Sequence, residues 1–314
     1  MESLDNHTYH LVYHDIGYEH NKFTRWINSM VTPEVFAEHI EQLCELGTIC
    51  SLNEAFVENK SNRPRFVIWF DDAYAGTYKY ASSICREKGI VASLAVNSQF
   101  ALRASCFWRC ELSWLLETHT SLEVSDRLLL SQHLSPGNIW NETLNQYGPE
   151  MHCRISYIFK SKSSLAERNT CHETFMEEGR IRELANNGWT ICNHTANHSA
   201  LVSPEGLNAF MDDFHQNKAF VQEVGGEGDT WVLPFDYGIV RKSADVHLKP
   251  LLASCKHLIR AFYFSENNNA IPRITITGHQ NALTQIHRAI KPKNNSVFKR
   301  IKMLLSHFKN IKCK

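Results

Sequence analysis

Short apolar runs and amphipathic stretches alternate along most of the chain, and each kind predicts one type of element. The clearest apolar run is RFVIWF at 65–70, which predicts a strand buried on both faces. A helical pattern over 78–88 follows and ends at Gly89, and a second apolar run covers 90–96. A strand, a helix and a strand within about 35 residues predict a right-handed βαβ unit.

The alternation continues towards the carboxyl end. Further strands are predicted at 9–13, 189–192, 231–233 and 274–276 and near Phe262, and further helices at 33–43, at 178–187, from Ser203 and at 250–257, the last with Pro250 in its first turn. Such repetition favours a parallel sheet or barrel with its site at the carboxyl ends of the strands. Residues from about 101 to 180 have helical patterns with no good strand between them, and we interpret them as a helical insertion.

The composition narrows the class of protein. A chain of 314 residues with 43% hydrophobic residues fits one large α/β domain or two small ones. The 33 basic residues equal the 33 acidic ones, so the overall charge does not favour nucleic acid as a partner. Ten cysteines are spread thinly, and several lie in apolar runs where a thiol behaves as a small hydrophobic residue. With no signal-peptide pattern and no membrane-spanning run, we expect a reduced, cytoplasmic protein.

Two aspartates directly follow the predicted strand at 65–70. Adjacent buried carboxylates are costly unless a cation meets them. Because neighbouring side chains at a strand end point in different directions, Asp71 and Asp72 can act separately, one binding a metal and the other facing a substrate. A turn capped by an aspartate side chain is the alternative interpretation of the local sequence.

The second candidate motif is HTANH at 194–198. Histidines four residues apart share one face of a helical turn, so His194 and His198 can bind one ion. The chain has 17 histidines, so a chance pair is the alternative. Like the aspartates, this pair follows a predicted strand. Two imidazoles and a carboxylate leave positions open on a divalent ion, which is the arrangement of a catalytic site.

The order of these motifs resembles that of the polysaccharide deacetylases, the NodB-homology carbohydrate esterases. Three other segments are similar to segments of that family: YHDIG at 13–17, WVLPFDYG at 231–238 and AIPRITI at 270–276. Together the matches cover most of residues 9–280. The resemblance implies a distorted (β/α) barrel of the NodB type, which would occupy residues 1–289 with the helical insertion at about 101–180. The remaining residues, 290–314, form a basic amphipathic tail by their own composition.

The resemblance also implies a role for each matching residue. Asp71 would be the general base, and a divalent metal, most simply Zn²⁺, would be held by Asp72, His194 and His198. The backbone N–H of Phe235 would assist the oxyanion. The residues that would contact the substrate are His14, Pro234 and Tyr237. Zinc suits two imidazoles and a carboxylate, although other first-row ions also fit.

Some positions depart from the family pattern. Ala73 stands where a glycine is usual, and Val232 stands where an arginine is often found. We expect Arg273 to supply that cation, to orient Asp71 and to lower its pKa. The general acid is the weakest match: His279 is the candidate by position, and His14 is the second candidate.

The implied reaction is the metal-dependent hydrolysis of an N-acetyl group from an amino sugar in surface-polysaccharide biosynthesis, such as O-antigen, lipopolysaccharide or capsule assembly. A catalytically silent homologue that binds glycan or acts as a scaffold is the alternative, and removal of another acyl group such as formyl is a third reading. The tail predicts either a helix on an anionic membrane surface or a helix docked on its own domain. Membrane contact would favour a lipid-linked glycan at the inner face of the membrane as substrate.

Two patterns in the insertion remain open. A structural zinc site there could use Cys106, Cys110, His152, Cys153, Cys171 and His172, although no CxxC pair is present. Trp108, Trp114 and Trp140 could line a sugar-binding surface. The first two lie in a helical pattern with leucines, which favours core packing instead.

Overall fold

The computed structural model describes residues 4–130, 134–146, 148–201, 206–234, 244–260, 270–278 and 280–290. The predicted strand near Phe262, the predicted helix start at Ser203 and nearly all of the predicted tail at 290–314 lie outside these residues. Within them, no helix combines the length and the apolar character needed to cross a lipid bilayer.

Eight parallel strands form one curved sheet, and two short strands pair beside it. In chain order the strands are β1 (Thr8–Tyr13), β2 (Asp15–Ile16), β3 (Met30–Val31), β4 (Thr48–Ile49), β5 (Arg65–Phe70), β6 (Ser93–Val96), β7 (Thr190–Asn193), β8 (Glu227–Val232), β9 (His257–Ile259) and β10 (Arg273–Thr275). The order across the sheet is β10-β1-β5-β6-β7-β8-β9, with β4 beside β5, while β2 pairs with β3. Ile271, just before β10, bridges to Ile259, so the two ends of the sheet meet. The predicted distorted (β/α) barrel is confirmed.

The helices lie between the strands and in one continuous block. They are α1 (Pro33–Leu46), α2 (Leu52–Ala55), a π-helical turn (Thr77–Ala81) that continues as α3 (Ser82–Glu87), α4 (Ser98–Ala101), α5 (Trp108–Thr118), α6 (Ser121–Arg127), α7 (Pro136–Asn145), α8 (Pro149–Lys162), α9 (Leu165–His172), α10 (Glu178–Asn186), α11 (Leu207–Glu223), α12 (Ala244–Ser254) and α13 (Ala282–Ile290). Helix α1 begins as predicted, because Thr32 accepts a hydrogen bond from the N–H of Val35 and Pro33 occupies the first turn.

The packing of β5 on both faces explains why its sequence is apolar throughout. Phe66, Ile68 and Phe70 pack outwards into the cluster between the sheet and the helices. Val67 and Trp69 point inwards and pack in the barrel interior. Because successive side chains of a strand alternate between its faces, a strand covered on both faces needs apolar residues at every position. The same alternation directs the next odd-numbered residue, an aspartate, into the barrel at the carboxyl end of the strand.

Helices α5 to α9 occupy the region interpreted as an insertion and share a buried core of their own. Trp108, Trp114 and Trp140 belong to this core and are at most 8% exposed. They therefore pack inside the helical block and do not form a sugar-binding surface. No strand occurs between residues 102 and 180 in the part of this region that the structure describes.

One predicted helix is wrong in its position. We expected a helix over 250–257 with Pro250 in its first turn, but α12 spans Ala244–Ser254 and Pro250 lies in its second half. His257 is instead the first residue of β9. Proline removes a single backbone hydrogen bond when it lies near the end of a helix, so the chain remains helical for one more turn. Strand β8 is also longer than predicted, since it begins at Glu227 rather than at 231.

Candidate active site

The candidate residues gather where the parallel strands end. Asp71 and Asp72 follow β5, His194 follows β7, and Pro234 comes shortly after β8. Parallel strands place their carboxyl ends at the same end of a barrel, so segments far apart in sequence meet there. Arg273 enters from lower in the barrel wall, where it lies in register with His10.

Asp71 is held by a single guanidinium. Arg273 donates from Nη1 to Asp71 Oδ1 over 2.6 Å and from Nη2 to Oδ2 over 2.8 Å. Its Nε donates to the carbonyl oxygen of Arg260 over 2.7 Å, which fixes the plane of the guanidinium. Burial is the largest single effect and raises the pKa of Asp71, but the charge and hydrogen bonds of Arg273, together with His194 and His14, outweigh burial and hold that pKa below its ordinary value. The ion pair that we expected from the sequence is therefore present, and Asp71 is ionised at neutral pH.

Asp72 faces the two imidazoles. Its Oδ1 lies 3.0 Å from His198 Nε2 and 3.4 Å from His194 Nε2. The backbone reaches this arrangement through left-handed conformations at Asp72 (φ 66°) and Ala73 (φ 54°). Such conformations cost of the order of 1–3 kcal/mol for residues other than glycine, and they concentrate at functional sites. The turn therefore stores strain in order to direct Asp72 away from Asp71 and towards the histidines.

The histidine pair converges for a different reason from the one predicted. Residues 194–198 form an irregular loop after β7, not a helical turn. Thr195 (φ 63°) and His198 (φ 54°) have left-handed backbone, and these bends fold the loop back on itself. The two imidazole centroids are consequently 4.8 Å apart. The spacing of four residues does bring the two imidazoles together. The predicted helical turn is wrong, because the segment is an irregular loop.

The donor set suits a divalent cation. One ligand atom each from Asp72, His194 and His198 lies within 4.8 Å of the others, and this is the only such group of three among the residues that the structure describes. His194 Nδ1 lies 2.9 Å from the carbonyl oxygen of Val232, so that nitrogen carries the proton and Nε2 presents its lone pair to the site. Asp72 Oδ1 is buried, and the polar atoms that it faces in the described chain are the two imidazole nitrogens. A buried acceptor beside two imidazole nitrogens is the pattern of a metal site.

The electrostatics of the group are dominated by the carboxylates. Burial raises the pKa of Asp72, but the neighbouring His198 and His194 outweigh burial and hold it well below the ordinary value. Burial lowers the pKa of His194, whereas Asp71 and Asp72 raise it. The combined effect is a pKa above the ordinary value of a histidine. The site thus carries net negative charge and attracts either a proton or a metal cation.

The remaining predicted residues divide into two groups. His14 follows β1 next to Asp71, Asp72 and His194, and burial lowers its pKa, so it is neutral at pH 7. Its Nδ1 is buried without a hydrogen-bond partner in the described chain. Pro234 is buried just beyond β8. Three predicted site residues lie outside the described residues, and their roles remain predictions: Phe235, Tyr237 and His279.

Several residues around the site were not predicted from the sequence. The amide side chains of Asn97, Asn193 and Asn217 bind the loop that carries the histidines or bind one another. Phe107, from the start of the helical block, places its ring centroid 4.7 Å from that of His198. Isolated asparagine and phenylalanine residues form no recognisable motif. The position of Asn97 directly after an apolar strand was the one available indication.

The predicted structural zinc site in the insertion does not form. Cys106 Sγ lies 3.8 Å from His172 Nδ1, and Cys171 is hydrogen-bonded to both Cys106 and Cys110. No three of the six predicted ligands bring their ligand atoms within 4.8 Å of one another, and all six belong to the described residues. Burial raises the pKa of the Cys171 thiol well above its ordinary value, so this cluster consists of packed thiols.

A parallel (β/α) barrel whose strand ends hold a buried Asp-His-His group beside an arginine-bound aspartate defines a class of hydrolytic barrel proteins. The family model for polysaccharide deacetylase matches residues 58–252, which include both aspartates and both histidines. The chain therefore belongs to the polysaccharide deacetylase family, and the resemblance found in the sequence is confirmed.

Solved structures share the fold at low sequence identity. IcaB from Ammonifex degensii is 12% identical with a TM-score of 0.54, and the match covers 91% of this chain and 97% of that one. A de-N-acetylase from Aggregatibacter actinomycetemcomitans is 15% identical with a TM-score of 0.54, covering 90% and 99%. The deacetylase PplD of Streptococcus pyogenes, in complex with acetate, is 14% identical with a TM-score of 0.54, covering 92% and 100%. No curated protein sequence matches this chain significantly.

Proposed function

We propose that this protein is a metal-dependent N-deacetylase that acts on an amino sugar of a surface polysaccharide. Membership of the polysaccharide deacetylase family makes it a hydrolase of N-acetylated polysaccharide. The observation that carries the finer proposal is the convergence of Asp72, His194 and His198 beside the ionised Asp71. Two of the solved structures with this fold are a de-N-acetylase and a deacetylase with bound acetate, and acetate is the product that we propose here.

The proposed metal ligands are Asp72 Oδ1, His194 Nε2 and His198 Nε2. One carboxylate and two imidazoles suit Zn²⁺, and they leave coordination positions for water and substrate. A divalent ion held there would lower the pKa of bound water towards about 7 and polarise the acetyl carbonyl. The carbonyl oxygen of Val232 keeps His194 in the tautomer that this role requires.

Asp71 is proposed as the general base. Arg273 uses one lone pair on each carboxylate oxygen, and each oxygen retains a second lone pair that can accept a proton. Because Arg273 lowers the pKa of Asp71, the carboxylate stays ionised across the neutral range. The bidentate contact also fixes the direction in which the carboxylate faces the substrate.

The departing amine must gain a proton, and the developing oxyanion needs a donor. We propose the backbone N–H of Phe235 for the oxyanion and His279 for the proton, both by their sequence positions. His14 is the second candidate for the proton, since it lies beside both aspartates; burial keeps its imidazole neutral at rest, so in this role it would first take up the proton that the base removes from water. Pro234 and Tyr237 complete the proposed substrate-binding segment.

We propose a lipid-linked or polymeric glycan of O-antigen or capsule as the substrate, handled in the cytoplasm at the inner face of the membrane. The basic tail is the feature that supports membrane contact. Deletion of 292–314 should reduce binding to vesicles that contain anionic lipid and should leave binding to neutral vesicles unchanged. Equal binding by the full and the shortened chain to anionic vesicles would remove the support for a membrane-bound substrate.

The first test of the proposed function is the metal content of the purified protein. Elemental analysis of the wild-type protein should find about one ion per chain, and the His194→Ala/His198→Ala variant should lose it. The His7→Ala/His287→Ala variant, which removes one histidine at the amino end of β1 and one in α13, should retain it. Wild-type protein should then release acetate from N-acetylated glycans and should release no formate from the N-formylated counterparts. A wild-type chain that takes up neither zinc nor cobalt would favour the catalytically silent, glycan-binding alternative.

A further inference from the structure

Three buried amides surround the loop at 194–198 that carries both imidazoles. Asn97 follows β6 directly, Asn193 is the last residue of β7, and Asn217 lies in α11. Each of the three is at most 1% exposed. All three Nδ2 groups donate to backbone or amide oxygens, and the oxygens of Asn193 and Asn217 accept from backbone N–H groups. Because a buried amide must find its partners within the protein, these bonds fix the side chains in place.

Asn97 and Asn193 hold the first bend of the loop from opposite sides. Asn97 Nδ2 donates to the carbonyl oxygens of His194 over 2.6 Å and of Thr195 over 2.9 Å. Asn193 Oδ1 accepts from the N–H of Thr195 over 3.1 Å. Thr195 is one of the two left-handed residues of the loop, at φ 63°. The side-chain amides thus bind both polar groups of a strained residue that lies directly after a proposed metal ligand.

Asn217 connects this bend to the neighbouring strand. Its Nδ2 donates to Asn193 Oδ1 over 2.9 Å and to the carbonyl oxygen of Val96 over 2.8 Å. Its Oδ1 accepts from the N–H of Ser98 over 2.8 Å. The side chain therefore ties the end of β7 to the end of β6 and reaches the loop through its hydrogen bond to Asn193.

The same helix also holds the second half of the loop. The N–H of Ala196 donates to the carbonyl oxygen of Asp213 over 3.1 Å, and Asn197 Nδ2 donates to Asp213 Oδ1 over 2.9 Å. Helix α11 thus anchors the segment between the two histidines at several points. The loop has little freedom to relax out of the conformation that brings His194 and His198 together.

We propose that Asn97, Asn193 and Asn217 are positioning residues of the metal centre. They hold the loop in its ligand-presenting conformation before any ion binds, so that the free energy of binding is not spent on ordering the loop. This inference rests on the proposed function, because it takes His194 and His198 to be metal ligands.

The test is the Co²⁺ affinity of metal-free Asn97→Ala and Asn217→Ala variants, measured by competition with a chromophoric chelator. Each variant should bind Co²⁺ about 10–100-fold more weakly than wild type, as is typical when residues that orient metal ligands are removed. In the double variant the two losses should combine to less than their product, since both act on the same loop. If Asn97→Ala does not fold, Asn217→Ala carries the test, because the hydrogen bond of Asn217 to Asn193 links it to the loop indirectly.

Ser113→Ala is the matched control. Ser113 is fully buried, and its hydroxyl donates to the carbonyl oxygen of Lys22 over 2.8 Å in the helical block. Its loss should lower the thermal midpoint of the metal-free protein and leave Co²⁺ affinity unchanged. Wild-type affinity in both folded asparagine variants would overturn this inference alone. A wild-type chain that binds no Co²⁺ would overturn the proposed function together with it.

Discussion

Arg273 binds both oxygens of Asp71 across 202 positions of sequence, with N–O distances of 2.6 and 2.8 Å. The arginine that the family often places on β8 is absent, and Val232 occupies that position in the apolar barrel interior. A cation from β10 compensates for the missing one, so the departure at Val232 leaves the aspartate paired. Trp69 lies beneath this pair, with the guanidinium carbon 5.4 Å from its ring centroid.

Removal of the positive charge of Arg273 should shift the pH dependence of activity. In Arg273→Gln, burial would act on Asp71 without the opposing charge, so the pKa of Asp71 should rise. Because the base must be ionised to accept a proton, the acid limb of the kcat/KM profile should move upwards by about 1–3 pH units. Part of the lost activity should return as the pH rises. Steady-state kinetics across the pH range measures this shift.

Arg65→Gln provides the control on the same strand. Arg65 lies at the opposite end of β5, where its guanidinium binds Thr8 and backbone carbonyls. This variant should keep the wild-type acid limb, even where its stability falls. An Arg273→Gln profile that keeps its shape and loses only amplitude would show that Asp71 does not titrate in the rate-determining step.

Replacement of Ala73 by the glycine that is usual in the family should relieve backbone strain in the folded protein. Ala73 adopts φ 54°, and a β-carbon is unfavourable in left-handed backbone, whereas glycine adopts it freely. Ala73→Gly should therefore leave folding stability unchanged or raise it by up to about 1 kcal/mol, with activity retained. Ala185→Gly, inside helix α10, should lower stability by about 1 kcal/mol. Urea unfolding of both variants decides this, and equal losses would show that the turn changes conformation without its β-carbon.

The aspartate end of the site could be predicted because it depends on local sequence. The run at 65–70 is apolar on both faces, so a buried strand and the two carboxylates at its end follow directly from the residues. The position of Arg273 beside Asp71 could be inferred as well, because a missing cation at Val232 required a substitute from another strand.

The conformation of the histidine loop could not be predicted in the same way. Its left-handed Thr195 is held directly by Asn97 and, through Asn193, by Asn217, and both Asn97 and Asn217 are separated from Thr195 by long stretches of chain. Tertiary contacts of this kind leave no periodic pattern in the sequence. Pro250 is a strong local signal for the first turn of a helix, yet α12 already begins at Ala244 and continues through the proline.

Gly76 is the residue on which the aspartate turn depends sterically. A β-carbon there would collide with the carbonyl oxygen of Ile16 and with Asp15 Oδ1, although its φ of −62° suits any residue. Gly76→Ala should therefore displace the segment after Asp72 from β2, lower stability by about 1–3 kcal/mol and reduce activity. Gly179→Ala, in the first turn of α10 with open space around it, should be neutral or slightly stabilising. Wild-type stability and activity in Gly76→Ala would contradict this steric account.

Glu111 should make the protein less stable as the pH rises. Its carboxyl is buried in the helical block, and Ser156 Oγ donates to its Oε2 over 2.5 Å. Burial raises its pKa from 4.5 to about 7, so the folded chain holds a proton that the unfolded chain releases near pH 4.5. Folding therefore takes up a proton between these two values, and stability falls as the pH rises through that window. Above about pH 7 the full penalty, of the order of 3 kcal/mol, applies.

Glu111→Gln isolates this effect, because glutamine keeps the shape and can still accept the hydrogen bond from Ser156 but cannot ionise. Urea unfolding at about pH 5 should give similar stabilities for the variant and the wild type, whereas at about pH 8 the variant should be more stable by up to about 3 kcal/mol. Glu150→Gln, whose side chain is 86% exposed in helix α8, should have little effect at either pH. A constant difference between Glu111→Gln and wild type across the pH range would show that Glu111 is ionised in the folded protein and that its partners, not its protonation, keep it buried.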